Sequence, residues 1–275
     1  MSFDTARNAG TAVVTGASSG IGLHYAERLA GQGWDLVLVA RRAERLEETA
    51  ARLRGGDGIR VETLVADLAD AGDQARVAER VAAPDVDLLV NNAGVNGYGL
   101  FAEVDPSVLR RVLDVNVVAL TALTRAAVPG MLARGRGAVV NVASLLAFAG
   151  ALPPGPLPRR AVYGGTKGYV VTFTRTLAAE LAGSPVTVQV LCPGLTATEF
   201  HLAHGHEPVA GEHRVHDDGG MPVDDVVTAS LEGLRTGEIV CVPGLTDPAR
   251  LEALGEAEAG IRGSSTGRLA ARYTR

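Results

Sequence analysis

Residues 11–22 run TAVVTGASSGIG. The first five are small or branched and carry no charge, the composition of a strand buried on both faces. Gly16, Gly20 and Gly22 follow with the spacing G-x-x-x-G-x-G, and helical periodicity begins at Gly20. Glycines in such a turn let the backbone bend tightly and approach a pyrophosphate. The helix N-terminus beyond offers unpaired N–H groups and the positive end of a dipole. A glycine-rich turn alone is common, but one set between a strand and a helix points to a nucleotide or dinucleotide site.

The strand-then-helix rhythm continues along the chain. Short apolar runs at 11–15, 35–40, 59–66, 87–91, 138–143, 186–191 and 238–242 read as strands. Helical patterns occupy 20–30, 42–53, 73–81, 105–132, 162–181 and 222–234. This alternation predicts an α/β fold of Rossmann type, a doubly wound, mostly parallel sheet with helices on both faces. With 275 residues the chain is read as a single dinucleotide-binding and catalytic domain. Three stretches break the rhythm: a proline-dense loop at 153–160, a long polar segment at about 195–221, and a tail from about 245 to 275 that is helix-capable to Ile261 and then rich in Gly, Ser and Arg.

Bulk properties narrow the function. A net charge of −5 argues against a general binder of nucleic acid or anionic membranes. The first ten residues hold no apolar secretory core, and no run approaches the length of a membrane span. Cys192 and Cys241 have no metal-ligand spacing and follow strand-like runs, so they read as reduced core cysteines. The expected address is the cytoplasm, and no metal is expected.

The end of the second strand bears on cofactor choice. An acidic residue there would bind the ribose 2′-hydroxyl of NAD, whereas this chain has Arg41 and Arg42. A guanidinium suits a 2′-phosphate, so NADP(H) is preferred and NAD(H) is the alternative. The bland reading, that both arginines only flank a helix start, is weakened because cations are disfavoured at a helix N-terminus.

Lys167 is the only lysine in the chain and lies four residues after Tyr163. A site that keeps lysine amid so many arginines needs a compact ammonium rather than a planar fork. At i and i+4 the two side chains share a helix face, where the ammonium would pull the phenol pKa down towards neutrality for general acid/base work. Asp67, Asn91-Asn92-Ala93-Gly94, Ser144 and Pro193-Gly194 follow the third, fourth, fifth and sixth strands. They stand where ligands bind an open parallel sheet.

With these motifs in order, TGASSGIG at 15–22, Asp67-Leu68, NNAG at 91–94, Asn116 in LDVNV, Ser144, YGGTK at 163–167 and PGLTAT at 193–198, the chain resembles the short-chain dehydrogenase/reductase family in its common single-domain form. The resemblance implies a seven-stranded sheet in the order 3-2-1-4-5-6-7. It also implies an NADP(H)-dependent oxidoreductase acting on a ketone, aldehyde or secondary alcohol. Ser144 would hydrogen-bond the substrate oxygen, and Tyr163 would give it a proton in reduction or take one in oxidation. Lys167 would lower the Tyr163 pKa and bind the nicotinamide ribose. Asn116 would hold a water linking Lys167 to solvent. Asp67 would contact the adenine amino group, and Asn91 with Gly94 would support the adenosine ribose. Gly16, Gly20, Ile21 and Gly22 would line the pyrophosphate turn, and Thr198 would bind the nicotinamide half. Ser18, Ser19, Leu68, Ala93, Pro193, Gly194 and Thr196 belong to the same matched motifs and are counted with the cofactor site. Family members are usually dimers or tetramers, so a homodimer or homotetramer is expected.

Two departures stand out. Ser144 and Tyr163 are nineteen residues apart, more than in most relatives, and the excess falls in the proline-dense loop. That loop either walls the pocket, or bulges outward or makes a subunit contact. Gly164 and Gly165 replace small non-glycine residues, which close approach of a helix or substrate would explain. Five of six histidines lie at 201–216 and read as a mobile polar lid in preference to a transition-metal site. Tyr98, Leu145, Leu146, Phe148 and Phe200 are candidate apolar lining. Two other readings compete: an NAD-dependent alcohol dehydrogenase of the same fold, and a non-catalytic nucleotide-sensing protein.

Overall fold

The computed structural model describes residues 3, 10–55, 58–153, 159–198 and 220–274. Its strands are β1 (Thr11–Thr15), β2 (Asp35–Ala40), β3 (Val61–Val65), β4 (Val86–Asn91), β5 (Gly137–Val142), β6 (Val186–Leu191) and β7 (Val240–Cys241). All pair in parallel, in the order β3-β2-β1-β4-β5-β6-β7. The chain builds outward from β1 to β3, then returns to lay β4 on the other side of β1. Loops leaving β1 and β4 therefore diverge and open a crevice at the carboxyl ends of the strands.

The helices are α1 (Gly20–Gly31), α2 (Ala43–Arg54), α3 (Ala71–Val81), α4 (Pro106–Leu113), α5 (Leu120–Arg134), α6 (Ala161–Glu180), α7 (Val223–Thr236) and α8 (Ala249–Ser264). Successive strand side chains alternate between faces, and the core divides accordingly. Ala12 and Val14 of β1 pack with Leu29, Trp34 and Leu234, while Val13 packs with Leu123 and Met131 on the opposite face. Each leucine so enclosed contributes about 1.5–3 kcal/mol of hydrophobic stabilisation.

Four features differ from the sequence reading. The third strand is shorter than its apolar run, and β7 is reduced to two residues paired to the edge of β6. The segment read as one helix at 105–132 contains a π-helical turn, Asp114–Ala119, between α4 and α5. That continuous helix, Pro106–Arg134, is by itself long and apolar enough to cross a membrane, contrary to the expectation that no run is. In the fold Val112, Val115, Leu120, Leu123, Ala127 and Met131 are buried, as in a core helix.

The chain divides into two compact units, Met1–Pro243 and Gly244–Arg275. The first holds the sheet. The second contains α8, in the tail that the sequence reading took as helix-capable to Ile261; none of the helix's residues is buried.

Candidate active site

The turn after β1 is fixed by the end of β4. Thr15 Oγ1 accepts hydrogen bonds from the Asn92 and Ala93 amides at 3.0 and 2.9 Å, and Asn92 Nδ2 donates to the Thr15 carbonyl at 2.9 Å. Gly16 sits at φ +69°, which L side chains avoid, and a Cβ there would stand 2.7 Å from Asn92 Nδ2. A Cβ on Gly22 would lie 2.5 Å from the Gly16 carbonyl oxygen, so the turn tolerates no side chain there. Ser19 caps α1 without a side-chain hydrogen bond, leaving the first amides of the helix facing the crevice. These features leave a turn closed to side chains at its glycines, beside the uncapped first amides of α1.

Arginines surround this end. The Arg42 guanidinium reaches back to Ser18 Oγ at 3.0 Å and Ser19 Oγ at 2.6 Å, clamping the turn. Arg41 is exposed at the cleft, and Arg45 and Arg111 line it too. Arg111 holds both Asp67 oxygens at 2.8 Å, and Asp67 Oδ1 also accepts from the Ala69 amide at 3.0 Å. Burial opposes ionisation of Asp67, but the Arg111 and Ala69 hydrogen bonds prevail and keep its pKa below the usual range. The carboxylate expected to meet adenine is thus already occupied by an arginine.

At the other end Ser144 follows β5 and caps a 3-10 turn, Leu145–Phe148, accepting from the Leu146 amide at 3.2 Å. Tyr163, in the first turn of α6, is buried and hydrogen-bonded to the Ser144 side chain. One turn on, Lys167 is 3% exposed, donates to the Val142 carbonyl at 2.8 Å, and lies 5.6 Å from the Tyr163 ring centre. Burial pulls the Lys167 ammonium down to about 8, against the opposing influence of the Cys192 thiol.

The phenol goes the other way. Burial pushes the Tyr163 pKa up, the neighbouring Tyr98 phenol adds to this, and the Ser144 bond lowers it only in part. The sequence reading had the ammonium drawing this pKa towards neutrality. In the protein Nζ is directed at the Val142 carbonyl, and desolvation of the phenolate dominates.

Two further residues stand differently from expectation. Asn116, in the π-helical turn, is buried with its amide closed on the Val95 peptide: Oδ1 accepts from Val95 N and Nδ2 donates to Val95 O, both at 2.9 Å. Nδ2 also donates to Thr166 Oγ1 at 3.2 Å, so the side chain fixes the loop after β4. The Asn91 side chain points into the sheet, donating to Thr124 Oγ1 at 3.0 Å and Asn141 Oδ1 at 2.9 Å, and is not among the residues lining the cleft. Its signal as a turn former concealed a structural tie between β4 and β5.

A single cleft of about 1010 Å³ brings the remaining positions together. It is lined by Gly16, Ser18, Ser19, Gly20, Ile21, Arg41, Arg42, Asp67, Leu68, Ala93, Gly94, Ser144, Tyr163, Lys167, Pro193, Gly194, Thr196 and Thr198. Gly22 lies just behind, against Gly16. Thr198 crosses above the turn, its methyl 3.2 Å from where a Gly20 Cβ would stand. Tyr98, Leu145, Leu146 and Phe148 also line the cleft, while Phe200 and the histidine-rich stretch 201–216 lie outside the described residues.

The family model described as short chain dehydrogenase matches residues 10–207. The chain belongs to the short-chain dehydrogenase family. It is therefore an oxidoreductase. This dehydrogenase is similar to a short-chain dehydrogenase from Sphingobium yanoikuyae in complex with NADPH, with 37% identity, a TM-score of 0.87, and coverage of 96% of this chain and 100% of that one. The bulky-bulky ketone specific alcohol dehydrogenase from Comamonas testosteroni is 31% identical with a TM-score of 0.85, covering 98% and 100%. Among curated proteins, the dehydrogenase/reductase SDR family member 4 of Bos taurus is 35% identical over 204 residues, 73% of this chain and 71% of its own.

Within this dehydrogenase, sequence reasoning missed Arg45, Arg111 and Asn92. Asn92 stood inside a quoted motif and could have been found there. Nothing in the sequence pairs Arg111 with Asp67, forty-four positions away. The glycines of α6 are explained only in part. A Cβ on Gly164 would rest 3.6 Å from the Leu146 carbonyl oxygen, an ordinary contact with the 3-10 turn. A Cβ on Gly165 would meet no described atom within 4 Å. The close approach expected of both is not seen at Gly165, and nothing in the structure explains its glycine.

Proposed function

We propose that this short-chain dehydrogenase reduces a ketone or aldehyde with NADPH, and runs the reverse oxidation of a secondary alcohol, with Tyr163 as the general acid/base. One arrangement carries the reading. A buried phenol, hydrogen-bonded to Ser144 and backed by an ammonium, shares one cleft with a glycine cradle whose rim is arginine-rich.

NADPH fits that cradle: its pyrophosphate suits the Gly16–Gly20 turn and the exposed amides of α1, and its 2′-phosphate suits Arg41. When bound it supplies the hydride. The protein's own residues do the rest. Ser144 and Tyr163 converge on one point from which a substrate oxygen is held and oriented. Because burial keeps the Tyr163 phenol protonated at neutral pH, it stands ready as a proton donor to an oxygen gaining negative charge, which favours the reductive direction. As the proton leaves, negative charge grows on the phenol. The Lys167 ammonium, which does little for the neutral phenol, then stabilises the product of that transfer. At the observed separation this is worth on the order of 3 kcal/mol with an effective dielectric of about 20. Stabilisation present only as the reaction proceeds raises the rate rather than the affinity.

Cofactor preference rests on the arginine pair. Arg42 is engaged with Ser18 and Ser19, so Arg41 is the residue to remove. Arg41→Ala should raise the Kd for NADPH about ten- to a hundredfold while changing the Kd for NADH less than threefold, the loss of one charge-assisted contact. Titration of protein fluorescence with each cofactor measures both constants. A parallel loss for both, or tighter NADH than NADPH binding in the wild type, would favour the NAD-dependent reading.

A further inference from the structure

The cleft is divided by chemistry. Its arginines, Arg41, Arg42, Arg45 and Arg111, gather with Asp67 around the ends of β2 and β3. Its apolar lining includes Tyr98, against the Tyr163 ring, with Leu145, Leu146, Phe148, Leu152 and Leu195. The Tyr98 ring meets the Tyr163 ring edge-on, with centres 5.3 Å apart and planes at 75°. Leu145 and Leu146 follow Ser144 directly, and the Leu145 amide is tied to the Pro193 carbonyl at 2.8 Å.

Leu145, Leu152 and Leu195 are 46%, 56% and 47% exposed, although all three line the same cleft. Scattered exposed leucines need no explanation, but several converging on the rim of a cleft mark a surface that an apolar ligand covers. The wall is also braced. Arg160 directs its guanidinium at the carbonyls of Ala149 and Leu152, at 2.6 and 3.3 Å, drawing the segment after the 3-10 turn against the start of α6. The Arg159 carbonyl accepts from the Gly99 amide at 3.0 Å, tying the Tyr98 loop to the same place. Lys167, the cation nearest the phenol, is buried behind it and turned to the Val142 carbonyl. Among the described residues lining this half of the cleft, no other side chain is charged. Among these residues a carboxylate, phosphate or sulfonate would meet only the Arg160 guanidinium, already engaged by two carbonyls, whereas an apolar group would cover the leucines.

We propose that the substrate is an uncharged, predominantly apolar ketone. The inference rests on the reading of Ser144 and Tyr163 as the carbonyl site. In the reaction the carbonyl carbon gains a hydride, and its oxygen takes the Tyr163 proton. The products are the secondary alcohol and oxidised cofactor, and the phenol is reprotonated from water.

The test uses the wild-type protein loaded with NADPH and two ketones matched in shape, 1-phenylpropan-1-one and its para-carboxylate. The uncharged ketone should have a kcat/KM about a hundredfold higher, as expected where a buried charge goes unpaired. Leu145→Arg, which places a guanidinium on the exposed rim, should shrink that preference at least about tenfold. In Tyr163→Phe loaded with NADPH, where turnover is suppressed, only the uncharged ketone should show saturable binding by calorimetry. Equal or better turnover of the carboxylate overturns the proposal. So does turnover confined to charged or polyhydroxylated carbonyls, which would leave the oxidoreductase reading intact. Binding of NADPH with no turnover of any carbonyl, charged or not, would overturn both.

Discussion

Tyr163→Phe should lose at least about a thousandfold in kcat for ketone reduction while binding NADPH as the wild type does. The substitution keeps the ring that packs edge-on against Tyr98 and removes one oxygen. That oxygen bonds the Ser144 side chain and is the proton donor of the proposed reaction. Without it, an oxygen developing negative charge is left with Ser144 alone, and proton delivery must come from water. Loss of a positioned acid typically costs about 10²–10⁴ in rate, and removal of half the oxygen-binding pair adds to it. NADPH fluorescence titration and stopped-flow absorbance separate binding from chemistry. A Tyr163→Phe protein with more than about a tenth of wild-type kcat would place the proton donor elsewhere, since a general acid cannot be that dispensable.

Lys167→Met should have two opposite effects, and their combination discriminates function from structure. The ammonium is buried and held at about 8, against the 10.5 of a free lysine. Below pH 8 the folded and unfolded chains both carry this proton, and the folded state bears the full cost of burying it, about 3 kcal/mol. Between pH 8 and 10.5 the unfolded chain holds more of the proton than the folded one, so stability rises with pH in that window and the burden is gone above it. Methionine removes the charge and also the bond to Val142, worth about 1 kcal/mol. The variant should therefore be about 2 kcal/mol more stable at pH 7, with the advantage shrinking as pH approaches 10.5. Its turnover should fall about a hundredfold or more, because nothing then stabilises the phenolate as it forms. In the wild type, kcat/KM for reduction should fall as pH rises through about 8, where the ammonium loses its proton. Urea unfolding at pH 7 and pH 10, with steady-state rates across the same range, reads all three. A less stable Lys167→Met protein, or wild-type reduction that rises above pH 8, contradicts this role.

The framework of the protein was legible because periodicity and glycine spacing are local. Residues 11–22 gave the strand, the turn and the helix start, and the strand ends gave the positions that meet in the cleft. What was hidden is non-local or directional. The π-helical turn at Asp114–Ala119 leaves no mark in composition, since it changes hydrogen-bond register and not hydrophobic pattern. The spacing of Tyr163 and Lys167 put them on one face, as found. It did not reveal that Nζ turns to a backbone carbonyl, or that burial would raise the phenol pKa. Asn91 and Asn116 were visible as unusual polar residues at the right places. Only the fold shows that their amides close on the sheet and on the Val95 peptide.

The most direct test is a crystal structure of the protein with NADP⁺ and an unreactive ketone analogue. The account predicts the pyrophosphate on the Gly16–Gly20 turn, the 2′-phosphate at Arg41, and the analogue's oxygen within about 3 Å of both Ser144 Oγ and the Tyr163 hydroxyl, facing the nicotinamide. An analogue bound away from Tyr163, or a dinucleotide reversed so that its adenine lies beside the phenol, would contradict it.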